Sequence, residues 1–164
     1  MKADVLAKQA VAGLAVVAFL GGSLPVRAAA TAEQTMSITV EPINEISVSG
    51  AVTLHITTAT PGQAPTPATD ATTTYSVTSN QGSKKITAKI NTPMPTGMAL
   101  NLTATATTGG ASTGKKSLTM LDQDVVTAVG QVNETKALTY ELTATAAAGT
   151  LASTTRTVTF TITE

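Results

Sequence analysis

Side chains that could carry out catalysis are few and scattered in this chain. His55 is the only histidine, and there is no cysteine. A serine or cysteine nucleophile needs a base held beside it, and common zinc sites need several histidine or cysteine ligands. A glycosidase pocket needs two carboxylates, usually among aromatic side chains, but aromatic residues make up 2% of the chain and tryptophan is absent. The sequence therefore favours a non-enzymatic protein, with His55 exposed on a strand.

Asp122 and Asp124 are the candidate metal ligands. Calcium takes about six to eight oxygen ligands, and two carboxylates two residues apart could begin such a site. No glycine or bidentate glutamate completes a calcium loop, so the alternative is a polar turn between strands. We predict no cofactor and no bound metal, with this pair as the only candidates.

Two lysine pairs, Lys84-Lys85 and Lys115-Lys116, each follow a glycine-containing turn. They could contact an anionic surface polymer. Lysines at solvated strand ends also protect sheet edges from unwanted pairing, and this second interpretation is the simpler one.

The first 30 residues have the three-part pattern of a secretory signal peptide. Lys2 and Lys8 precede an apolar run from Ala10 to Leu20, and small residues at 28–30 offer a cleavage site. The run is shorter than a membrane-spanning helix, and no sorting signal, apolar anchor or lipid-accepting cysteine is found further along the chain. We therefore expect a secreted protein, extracellular or held in the cell envelope, with no membrane span after cleavage.

The remaining chain of about 130 residues is long enough for one domain with a single core. Cleavage would leave seven basic and nine acidic residues. A nucleic-acid partner selects a basic surface, so none is expected. The absence of cysteine predicts a disulfide-free fold.

After residue 34, most of the chain alternates threonine or another polar residue with an aliphatic one. Val158, Phe160 and Ile162 alternate in this way with threonines, and strand side chains alternate between the two faces of a sheet. Short runs separated by turn residues are typical of two packed antiparallel sheets. We predict an all-β, immunoglobulin-like antiparallel β-sandwich of about eight to ten short strands, with a closed barrel as the alternative. The predicted strands are 34–40, 43–48, 52–57, 73–79, 84–90, 98–106, 117–121, 125–129, 137–145 and 155–163.

Turn composition adds three expectations. Asn80-Gln81-Gly82-Ser83 predicts a hairpin between its flanking strands. The Pro-rich segment 58–70 and the Gly-rich segment 107–114 are predicted to be exposed loops. Ala146-Ala147-Ala148-Gly149 is expected to form a turn at the end of the sheet, with a helical turn as the alternative.

The segment that follows the predicted leader could associate with a sheet edge. Met36, Ile38 and Val40 would lie on one side of an extended strand, which could pair within its own domain or add to a neighbouring subunit. Pro42 interrupts the pattern. We therefore divide the chain into a signal peptide (1–30), an N-terminal and candidate donor strand (31–42) and a sandwich domain (43–164).

The leader, the strand Thr35-Met36-Ser37-Ile38-Thr39-Val40, the cysteine-free β-body and the Ala148-Gly149 turn before a Thr-rich strand together resemble secreted bacterial immunoglobulin-like surface and pilin-type subunits. The resemblance implies subunits that complete one another by strand donation, with Met36, Ile38 and Val40 as donor side chains. The chain differs from the best-known pilins in lacking a disulfide and in having Thr163 at the penultimate position. The expected function is that of a structural or adhesive, fimbria-like surface protein that associates with itself or with other surface proteins. The alternative is a monomeric secreted module that binds carbohydrate or protein through its loops.

Overall fold

The computed structural model describes residues 29–164, so nearly all of the predicted leader lies outside the described residues. Residues 39–164 form one compact unit, and 29–38 belong to a separate one. The described chain is almost entirely β-structure, which confirms the all-β prediction. Its elements are β1 (Asn44–Val48), β2 (Ala68–Asp70), β3 (Thr74–Ser79), β4 (Lys84–Ile90), β5 (Met98–Ala104), β6 (Ala111–Ser112), β7 (Lys116–Ser117), β8 (Gln123–Val129), β9 (Val132–Ala144), a 3-10 helix (Ala146–Ala148) and β10 (Val158–Thr163).

Two antiparallel sheets make up the compact unit, as predicted for a sandwich. The larger sheet has the strand order β1-β3-β9-β5-β7, with β2 also paired to β9. The smaller sheet has the order β10-β4-β8-β6. The 13-residue strand β9 organises the larger sheet, because β3 pairs with its first half while β2 and β5 pair with its second half.

No two consecutive strands of the described chain pair with each other. The predicted hairpin at residues 80–83 is therefore wrong, because this turn carries the chain from β3 in the larger sheet to β4 in the smaller one. From β3 onward, each connection crosses between the sheets. Turn composition identified the reversal of direction correctly, but it does not determine which strand becomes the hydrogen-bonded neighbour.

The connections define two ends of the sandwich. We call the end with the β3–β4 turn, residues 80–83, the Asn80 end. There Asn44 of β1 is paired with Ser79, and the buried Lys84 bonds Glu164 at 2.6 Å. We call the opposite end, with the β4–β5 connection at residues 91–97, the Pro93 end. Strand β10 therefore runs from the Pro93 end to the Asn80 end.

The core between the sheets is largely aliphatic, as the composition predicts. Its largest fully buried side chains include Tyr75, Ile86 and Leu102. The Tyr75 hydroxyl donates a hydrogen bond to the Thr105 carbonyl at 2.5 Å, so the buried polar tip is satisfied. Burial raises the pKa of Tyr75 to about 12. The inward residues of β10 are half-buried and pack against this core.

An irregularity in β8 widens the apolar face that this strand contributes. Its register with β4 shifts twice, and Ala128 has a positive φ of 54°. Extra residues of this kind form β-bulges, which break the strict alternation of side chains. Val125 and Val126, although adjacent in sequence, are consequently both fully buried.

Both predicted loops contain more structure than expected. The segment 58–70 holds an isolated bridge between Ala59 and Pro65 and ends in β2. The Gly-rich segment 107–114 contains β6, and Thr107 within it is buried. The alanine run at 146–148 forms one turn of 3-10 helix, the alternative to the predicted plain turn.

Residues 29–43 contain no regular secondary structure, so the predicted strand at 34–40 does not form in the described chain. The predicted strand at 43–48 is confirmed as β1. Asn80 fixes the entry to β1, because its Oδ1 accepts from the Ile43 N–H at 2.8 Å and its Nδ2 donates to the Glu41 carbonyl at 2.8 Å. Among residues 29–164, no helix is long and apolar enough to cross a membrane.

Surface carboxylates of the larger sheet are held by hydrogen bonds. Glu134 accepts from the backbone N–H of Thr108 at 2.9 Å and from the Thr108 hydroxyl, so it ties the Gly-rich segment to β9. Glu141 accepts two hydrogen bonds from Lys115 Nζ, at 3.0 and 3.1 Å. Hydrogen bonds to an ionised carboxylate favour the ionised form, and these bonds lower the pKa of both side chains.

We expect the protein to lose stability in acid. The pKa values of Glu134, Glu141 and Glu164 all lie below the ordinary value of 4.5, the last because of its bond to Lys84. A carboxyl group whose pKa is lower in the folded state stabilises the fold at pH values above its unfolded pKa, and this contribution is lost as the pH falls through the folded pKa. The melting temperature, followed by circular dichroism, should be nearly constant above about pH 5 and fall as the pH is lowered below about 4.5. Glu134→Gln should reduce the size of this fall, and a melting temperature that is flat down to about pH 3 would contradict the assignment.

Candidate functional site

An apolar groove opens on the side of the sandwich where β10 ends the smaller sheet. Its volume is about 380 Å³. Aliphatic and aromatic side chains from both sheets and from the segment after β1 line it, so the groove continues the core outward to the surface. The lining includes Val52, Leu54, Leu100, Tyr140, Val158 and Phe160.

One side of this groove is lined by Ala51, Val52 and Leu54, which belong to the unpaired segment 51–57. Val52, Leu54 and Ile56 are half-buried and alternate with exposed residues, as expected of a strand. No strand is formed, and these residues make no backbone–backbone hydrogen bond within the described part of the chain. The alternation expected at 52–57 is thus present, whereas the predicted strand is not formed. Within residues 29–164 the segment's backbone N–H and C=O groups therefore have no backbone partner, and they could bind another strand.

On the other side of the groove, β10 has an unpaired edge. It hydrogen-bonds to β4 on one side only. An edge strand presents a row of unpaired N–H and C=O groups that can accept a further strand. The groove therefore lies between two stretches of backbone with hydrogen-bonding capacity left.

Two of the polar side chains that line the groove, Thr73 and Tyr140, are buried. Thr73 is 5% exposed, and its Oγ1 has no hydrogen-bond partner within residues 29–164. Tyr140 is 7% exposed, and burial, with a smaller contribution from the charge of Asp70, raises its pKa to about 12. Both hydroxyls are therefore uncharged at neutral pH, and the surface offered is apolar with local hydrogen-bonding groups.

Arg156 provides the positive charge of this site, at the Pro93 end of the groove. Its Nε and Nη2 donate to the Pro93 carbonyl at 3.3 and 3.1 Å. Its Nη1 donates to the Thr154 hydroxyl at 2.8 Å and to the Thr155 carbonyl at 2.9 Å. All of these acceptors are neutral, so the guanidinium is held in place while its charge is not neutralised by them.

The predicted strand-association residues are strongly exposed. Met36, Ile38 and Val40 are 73%, 80% and 76% exposed, respectively. Large apolar side chains in this number and spacing are unusual on a solvated surface. The structure leaves them accessible to a contact with another surface.

The metal candidates are engaged in ion pairs instead. Asp122 Oδ2 lies 3.1 Å from Lys89 Nζ, and Asp124 Oδ1 lies 3.6 Å from Lys85 Nζ. In the described part of the chain, no three His, Cys, Asp or Glu side chains are grouped so that they could hold a metal. Asp122 directly precedes β8 and Asp124 lies within it, and each carboxylate is beside a lysine of β4.

The remaining predicted polar residues also take structural positions. His55 is exposed on the segment 51–57, as expected. Lys84, Lys85 and Lys115 each pair with a carboxylate of the same chain, whereas within residues 29–164 no carboxylate partner is found for Lys116.

Sequence reasoning did not find the groove or Arg156. The groove is assembled from segments far apart in the chain. Only the strand pairing reveals that the segment 51–57 and one edge of β10 have no neighbouring strand in the described chain. One signal for Arg156 was present, since it is the only charged residue between Glu141 and Glu164. An isolated charge in a long neutral stretch is a reason to ask what it binds.

Comparisons of the chain with protein-family models, with curated proteins and with solved structures found no match.

Proposed function

We propose that the protein is a non-enzymatic, secreted structural or adhesive surface subunit, built as an immunoglobulin-like sandwich, that associates with copies of itself by strand addition. The segment Thr35–Val40 of one copy would occupy the apolar groove of the next. The observation that carries this proposal is the groove itself, an opening into the core bordered by the unpaired segment 51–57 and the free edge of β10.

The chemistry of the strand and of the groove is complementary. Met36, Ile38 and Val40 present three apolar side chains at every second position, and Thr35 to Val40 carry no charge. Strand addition uses backbone hydrogen bonds for affinity and alternate side chains for pocket filling, and both are available here. Burial of three exposed apolar side chains would contribute roughly 1.5–3 kcal/mol for each before the cost of ordering the strand.

The location of the two partners supports association between copies. Glu41 and Ile43 are fixed to Asn80, so the N-terminal strand emerges from the compact unit at the Asn80 end. Arg156, which lines the groove, is bonded to the Pro93 carbonyl and so marks the opposite end. When a surface on one end of a subunit binds a different surface on the other end of the next, the contact is heterologous, and repetition gives an open chain.

The test is to express the full chain with its leader, purify the exported protein and compare it by electron microscopy with a variant lacking residues 31–40. We expect filaments or higher oligomers that are lost on deletion, with little change in melting temperature. Mass spectrometry must show the same processing site for both proteins. A monodisperse monomer in both preparations would refute self-association.

A monomeric binding module is the second candidate, and the same groove supports it. A volume of about 380 Å³ is within the range of small-molecule sites, and the site combines apolar walls with a few polar groups. A ligand bound there would stabilise the monomer, which would stay monomeric with or without residues 31–40.

A further inference from the structure

Arg156 differs from nearly all other cations of the compact unit in having no carboxylate partner. Five lysines lie within 4 Å of a carboxylate of the same chain: Lys84, Lys85, Lys89, Lys115 and Lys136. Within residues 29–164, no such partner is found for Arg156. Its side chain is half-buried, and a charge that is partly removed from water is costly unless it is paired.

The geometry of the guanidinium leaves capacity for one more acceptor. An arginine side chain has five N–H donors in a planar fork, and four of them are used by Pro93, Thr154 and Thr155. The remaining N–H, on Nη2, can donate one charge-assisted hydrogen bond to a carboxylate oxygen. Arg156 therefore offers one donor and an unneutralised charge to a carboxylate, and neutral groups hold it in position.

A carboxylate is available at the base of the associating strand. Glu41 directly follows Val40, its side chain is exposed, and its carbonyl is fixed to Asn80 at the Asn80 end of its own copy. When the Asn80 end of one copy meets the Pro93 end of the next, the base of the strand stays at the Pro93 end of the groove. Thr35, at the tip of the strand, then lies deepest in the groove. Glu41 then reaches the groove at the end where Arg156 is located.

We propose that Arg156 binds the Glu41 carboxylate of a neighbouring copy and so determines the direction in which the strand enters the groove. The inference rests on the proposed function. With Glu41 at the Pro93 end, the strand runs toward that end, whereas β10 runs away from it, so the two are antiparallel. The opposite direction would bring Glu33, at the other side of the apolar segment, to Arg156.

The experiment is a charge reversal, measured as the critical concentration for assembly by sedimentation and electron microscopy of the exported full-length product. Arg156→Glu and Glu41→Arg should each raise the critical concentration about tenfold, because each places like charges together. The double variant R156E/E41R should return it to within about twofold of the parent. Lys116→Glu makes the same charge change on β7 and should have no effect.

Three outcomes would overturn the inference. One is rescue of R156E by Glu33→Arg but not by Glu41→Arg, which would establish the opposite strand direction. Another is unchanged assembly of both single variants while deletion of residues 31–40 abolishes it, which would leave the proposed function standing. Unchanged assembly of the deletion variant would refute the proposed function and this inference together. If R156E does not fold, as judged by its melting curve, Arg156→Gln carries the same expectation with a smaller effect.

Discussion

Replacing Ile38 with aspartate is expected to abolish self-association while the compact unit keeps its melting temperature. Ile38 is 80% exposed in the single copy, so the folded monomer loses little by the change. In the assembled state the new carboxylate would lie in the apolar groove without a partner. Burial of an unpaired charge costs several kcal/mol, so the association constant should fall by more than about 100-fold. Sedimentation velocity over a range of concentrations measures this loss.

Ser37→Asp is the matched control for this variant. It introduces the same charge one residue earlier, and adjacent side chains of a strand point to opposite faces. Ser37 would face away from the groove floor, so its replacement should change assembly by only a few-fold. Equal losses for the two variants would show that charge alone, rather than burial in the groove, controls association.

Replacing Leu102 with alanine is expected to have the largest effect on folding. Leu102 is fully buried in the centre of the core, and large-to-small changes at such positions cost about 2–5 kcal/mol because a cavity is left. Domains of this size are stable by only about 5–15 kcal/mol, so the variant should unfold at a clearly lower denaturant concentration with an unchanged slope.

Leu121→Ala is the corresponding control at the surface. Leu121 is 73% exposed, so the same chemical change should alter the free energy of unfolding by less than about 0.5 kcal/mol. A similar loss in both variants would mean that Leu102 does not contribute through burial.

The strands themselves were predictable because period-two alternation marks half-buried strands without reference to their partners. Strands β3 and β4 were located at or within one residue of their observed bounds. Strand β9 was predicted too short, because its first half, with Asn133, Glu134 and Lys136, lacks the apolar alternation and is held by pairing with β3. Glu134 and Lys136 pair with the buried Val77 and Tyr75, so their place on the core-facing side could not be recognised from their polarity.

Pairing could not be read from the sequence. Ser79 and Lys84 lie on either side of a turn whose composition is typical of a hairpin, yet the strands beside it join different sheets. The same turn residues reverse the chain in a hairpin and in a connection between two sheets. Which of the two forms depends on the distant strand faces that are buried against each other. For the same reason the sequence identified the alternating apolar residues Met36, Ile38 and Val40. It could not identify the groove that we propose receives them.

The absence of pairing between consecutive strands also has a consequence for how the chain folds. In the described chain, two strands that pair are always separated by at least one other strand in the sequence. The chain between them must therefore be closed into a loop, with a loss of conformational entropy, before their hydrogen bonds can form. Sandwiches dominated by such distant contacts fold in roughly milliseconds to seconds, far more slowly than proteins with local contacts. The two edges of β4 are covered only when both β8 and β10 have paired with it, so newly made chains spend this interval with open strand edges. High local concentrations of incompletely folded chains are therefore expected to favour incorrect strand exchange. A slower supply of unfolded chains should improve the yield of folded protein.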